Sequence, residues 1–97
     1  MYESLSDFEA ICLQAHFLFA LRQASSKQER ERLLLHLQDI AKRLLPFYTQ
    51  SCKKPDLPIK VRNTYTCLQA LAIAPHPITR QQAVYPLLHP KEDYPTC

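Results

Sequence analysis

No glycine occurs anywhere in this chain of 97 residues. Average usage would supply ~7. Glycine provides the positive-φ positions of type I′, II and II′ turns and many of the left-handed residues that close helix C-termini. A meander of β-hairpins is therefore a poor solution for this chain. The glycine-dependent phosphate cradles and nucleophile elbows are excluded, because each needs glycine where backbone meets phosphate or turns sharply. Eight prolines take over the punctuation. Helices joined by Pro-bearing connections fit best, and the expected fold class is all-α.

The first helix is marked by a capping box, Ser6 with Glu9, with Asp7 adding negative charge to the first turn. Phe8, Ile11, Cys12, Ala15, Leu18 and Phe19 follow helical spacing, and Leu13, Phe17 and Leu21 form a second stripe beside them. Only Glu9, Gln14, His16, Arg22 and Gln23 interrupt this apolar surface, which is wider than one helix needs to join a core. After a short Ser-containing turn, Ser26 and Glu29 open a second helix, with Ser25 and Gln28 as another register. Leu33, Leu37, Ile40 and Leu44 form its seam at spacings of four, three and four. Gln38, Asp39, Lys42 and Arg43 are placed on its polar side, with Asp39 and Arg43 paired at i, i+4 and Lys42 and Arg43 in the last turns. Pro46 predicts an end or a kink there. The two helices, about 7–24 and 26–45, should form an antiparallel hairpin.

Residues 47–58 read as the longest connection. Residues 59–66 are ambiguous between strand and helix, because Ile59-Lys60-Val61-Arg62 with Tyr65 alternates like a strand while Val61, Tyr65, Leu68 and Ala72 fit a helix face equally well. A lone strand has no partner, so a helix is expected over about 59–74. Pro77 suits a first helical position, and Thr79 with Gln82 suggests a cap for a short helix near 77–85. Pro86, Pro90 and Pro95 make 86–97 an extended Pro-rich tail. No internal repeat is evident. The length suits a single helical domain, 1–85, followed by that tail.

Charge is uneven. Residues 27–62 carry nine basic and four acidic residues, although Arg30 and Arg32 alternate with Glu29 and Glu31 as on a solvated helix face. Cys12 and His16 share a helix face, but the remaining Cys and His residues give no compact ligand spacing, so no metal or other cofactor is expected. Scattered cysteines give no disulfide framework and suit a reduced, cytoplasmic setting. The acidic N-terminus lacks the basic region of a secretory signal, and no apolar run is long enough for a membrane span. No catalytic set assembles from the pattern, which points away from an enzyme.

Two short segments resemble known patterns. Leu68-Gln69-Ala70-Leu71 followed by Pro77-Ile78-Thr79-Arg80-Gln81-Gln82-Ala83 resembles the opening of a winged-helix type helix-turn-helix, over about 20 residues. The resemblance implies nucleic-acid binding, but Pro86 and Pro90 stand where its recognition helix would run. Tyr85-Pro86-Leu87-Leu88 is similar to a YPxL late-domain peptide and to a Tyr-x-x-Leu sorting peptide.

The surplus of apolar surface points to a protein-binding module: an adaptor, regulatory subunit or chaperone-like factor, with a homodimer as one form. The alternative is a helix-turn-helix-like regulator that binds nucleic acid. Candidate contact residues are Phe8, Ile11, Ala15, Phe17, Leu18 and Phe19 on the first helix, with Leu33, Leu37, Ile40 and Leu44 opposite.

Overall fold

A computed structural model describes residues 2–89, which form four helices and no strand: α1 (Asp7–Gln23), α2 (Lys27–Cys52), α3 (Ile59–Ile73) and α4 (Pro77–Leu88). The fold is all-α. α1 packs along α2, α2 along α3 and α3 along α4, while α4 reaches back to α1 and α2. The ambiguous segment 59–66 is helical.

The four helices make two hairpins with the same turn. Ala24 (φ −64°, ψ 132°) and Ala74 (φ −69°, ψ 123°) end the first helix of each pair. Ser26 (φ −122°, ψ 154°) and His76 (φ −132°, ψ 157°) open the second. With the turns aligned, Leu18 matches Leu68, Leu21 matches Leu71, Leu34 matches Val84 and Leu37 matches Leu87, and all eight are buried. This correspondence is a repeat of geometry. It escaped the sequence because, beyond buried pairs such as Leu18/Leu68, Leu21/Leu71 and Leu37/Leu87, few of the aligned positions hold identical residues.

The absence of glycine has a visible consequence. No described residue has positive φ, so no helix ends in a left-handed cap. Three C-terminal ends are instead closed by side chains from other helices. Arg62 of α3 donates to the carbonyls of Cys52 and Lys54 at the end of α2. Gln38 of α2 donates from Nε2 to the carbonyls of Leu71 (2.9 Å) and Ala74 (2.8 Å) at the end of α3. Arg22 of α1 donates from Nε and Nη2 to the carbonyl of Leu87 (3.3 and 3.0 Å) near the end of α4. The Cys52 and Leu87 carbonyls are among those that helix geometry leaves orphaned, while the Leu71 carbonyl also accepts from the Ala74 N–H and the Lys54 carbonyl from the Leu57 N–H; each side chain ties its own helix to the end of another.

Several expectations are corrected. α2 does not end at 45 but runs through Pro46 to Cys52. Proline there removes an N–H and crowds the carbonyl of Lys42. Both residues lie on the exposed side, where water can take up the freed carbonyl. The extra turns bury Tyr48 and Ser51, continuing the stripe Leu37, Ile40, Ala41, Leu44. α4 likewise passes Pro86 and ends at Leu88, so 86–88 are helical; residues 90–97 of the expected tail lie outside the described residues. Lys42 and Arg43 are mid-helix. Arg43 pairs with Asp7 (2.9 Å) and donates to the carbonyl of Leu5 (2.7 Å), fastening the segment before α1 to α2. Pro77 is at the start of α4 as expected, but His76 is the N-cap and Thr79 lies inside the helix. The Ser6–Glu9 capping box is complete, and Ser26 accepts from the Glu29 N–H.

α2 is the spine of the core. Leu34, Leu37, Ile40, Ala41, Leu44 and Tyr48 meet Ala10, Leu18 and Leu21 from α1, Leu68, Leu71 and Ala72 from α3, and Val84 and Leu87 from α4. A fully buried side chain of this size contributes ~1.5–3 kcal/mol.

Candidate interaction surface on the first helix

α1 turns 100° per residue, which sorts its apolar residues into two opposed faces. Ala10, Gln14, Leu18 and Leu21 point inward and are buried. Phe8, Cys12, Ala15 and Phe19, spaced four, three and four, point outward and are exposed, Phe8 at 77% and Phe19 at 62%. The outer stripe holds no charged residue. Glu9, His16 and Gln23 flank it on one side and Arg22 on the other.

Gln14 does not interrupt the apolar surface in the expected way. It is buried, and its Oε1 accepts the hydroxyl proton of Tyr48. Tyr65 lies against Tyr48 with ring centroids 4.9 Å apart. Burial pushes the Tyr48 hydroxyl well above the usual tyrosine range, and burial does the same to Tyr65 more weakly. At the outer end of the box, the bond from the Ser6 N–H holds the Glu9 carboxyl below its usual range. The charged form suits a helix N-terminus.

The candidate contact residues divide. Leu18, Leu37, Ile40 and Leu44 are core residues, and the last three have no exposure. Ile11, Phe17 and Leu33 are half-buried and pack against that core. Phe17 stacks on His36 (centroids 5.4 Å apart, planes 5° apart), and the ring of His36 is hydrogen-bonded to the Tyr2 hydroxyl (3.0 Å). It is an anchor between α1 and α2. Phe8, Ala15 and Phe19 remain open to solvent, joined by Cys12 of the same apolar stripe.

Elsewhere, Ile59, Ile73, Ile78, Tyr85 and Leu35 are exposed apolar residues that are not among the candidate contacts. Tyr85-Pro86-Leu87-Leu88 lies in α4, and Leu87 is buried, so the segment is not an extended peptide in this fold. α4 is the last described helix, and no recognition helix follows it among the described residues. Arg43 and Arg62, two of the nine basic residues of the middle segment, are engaged with carbonyls inside the fold. Among the described residues, no three His, Cys, Asp or Glu side chains gather as a metal-binding group, and no helix is long and apolar enough to cross a membrane. Comparison with protein-family models, curated proteins and solved structures yields no match.

Proposed function

We propose that this chain is a small helical protein-interaction module, an adaptor or regulatory subunit, that docks through the outer face of α1. One observation carries the reading. The helix whose inner side enters the core leaves two phenylalanine rings, three turns apart on one line, in solvent. Aromatic rings dominate interface energetics and act as anchors when a partner desolvates them. The segment before α1 is fastened by Arg43 to Leu5 and Asp7, so the helix presenting the rings is held in place before docking.

The test places a photoreactive phenylalanine analogue at position 19, with position 28 on the exposed start of α2 as control, in cells that make the protein. A discrete adduct at 19, identified by mass spectrometry, absent at 28 and lost with Phe8→Ala, is expected. Equal labelling at both positions, or none at 19, would refute the docking face.

A further inference from the structure

We infer that the occupant of the α1 outer face is a second copy of this chain, docked with its own α1 antiparallel to the first. The inference rests on the docking reading above and names its partner. Size order is the first support. Phe8, Cys12, Ala15 and Phe19 run large, small, small, large, and the pattern is the same read from either end. A two-fold interface must be self-complementary. With the axis between Leu13 and Gln14, Phe8 lies level with Phe19 of the other copy and Cys12 level with Ala15. The small central pair lets the backbones approach while the rings close over each end.

Charge is the second support. Glu9 lies in the first turn of α1 and Glu3 just before the helix, while the C-terminal end carries Arg22, which keeps its charge as it donates to the neutral Leu87 carbonyl; Asp7 is already paired with Arg43 and adds nothing here. Antiparallel docking sets Arg22 of each copy within about a turn of the other's acidic end, and opposes the helix dipoles. A parallel pair would bring acids against acids. Area sets the strength. A contact one helix wide and three turns long falls below the ~1,200 Å² of total buried surface at which stable interfaces begin. The dimer is therefore reversible, with dissociation in the micromolar range or weaker.

Sedimentation equilibrium of the purified full chain, with and without Phe8→Ser/Phe19→Ser, tests the dimer. The expected result is a monomer–dimer equilibrium weakened at least about tenfold by the double variant, with thermal melting unchanged because both rings are exposed. In the same preparation, the photoreactive analogue at 19 should attach near residue 8 of the second copy. A strict monomer at millimolar concentration, or a dimer indifferent to the double variant, overturns self-docking. Attachment near residue 19 overturns the antiparallel arrangement. If the purified chain is monomeric while the cellular adduct at 19 contains a different protein, self-docking fails and the docking face stands; if no adduct forms in either setting, both fail.

Discussion

Leu18 and Leu21 on one side of α1 are buried against α2 and α4, while Phe8 and Phe19 on the other side stand in water. Both faces are apolar and both obey helical spacing. They differ in what the rest of the chain supplies. α2 offers the inner face a continuous wall from Leu34 to Tyr48, and α4 closes it through Leu87 and the Arg22 bond. No described element crosses the outer face. The lesson is that an amphipathic pattern reports which residues avoid water and leaves open whether this chain or another covers them.

Substitutions that treat the faces alike separate them best. The largest effect is expected from Leu37→Asp, which puts an unpaired carboxylate where exposure is 0% and costs ~5 kcal/mol or more. Circular dichroism should show an unfolded chain; a folded helical variant would break the inner half of the comparison. Next is Gln38→Leu, which removes the side-chain donor from the Ala74 carbonyl and leaves the Leu71 carbonyl with only the Ala74 N–H. It should cost about 1–3 kcal/mol in urea unfolding, and a neutral result would show that water replaces the side chain at the end of α3.

Tyr48→Phe is smaller, ~1 kcal/mol near neutral pH, since it leaves the buried Gln14 acceptor without its donor. Its pH dependence has a definite sign. The fold raises the Tyr48 pKa, so the neutral phenol's contribution is complete below the unfolded value of about 10 and is lost as pH rises beyond it. Wild type should lose urea resistance above about pH 10, and Tyr48→Phe should lose less, with Tyr65 supplying the remainder. Parallel losses would deny Tyr48 that role. The smallest effect on folding is expected from Phe8→Ser/Phe19→Ser, within about 0.5 kcal/mol. A large drop in melting temperature would show that these rings support the fold after all.

Much of the fold was legible because its signals are local. The Ser6–Glu9 box, the seam from Leu33 to Leu44 and Pro77 at a helix start each read correctly. The errors arose where tertiary contacts override local preference. Pro46, which is exposed, and Pro86, which is half-buried, are tolerated because packing of Tyr48 and Leu87 outweighs a lost helical bond. Gln14 and Gln38 looked like solvent residues because nothing local reveals a distant hydroxyl or carbonyl waiting for them. The stripe continuing from Leu44 to Tyr48 and Ser51 was the available signal that α2 goes on. Of the candidate surface, Phe8, Ala15 and Phe19 are exposed, but their separation from Leu18 and Phe17 required knowing which side α2 occupies.

The chain has four phenylalanines, two exposed at 8 and 19 and two half-buried against the core at 17 and 47. Incorporating 4-fluorophenylalanine and recording ¹⁹F spectra over a dilution series observes both sides of the comparison at once. The account predicts that the resonances of Phe8 and Phe19 shift together with concentration while those of Phe17 and Phe47 stay fixed. Four concentration-independent resonances, or movement confined to Phe17 and Phe47, would contradict it.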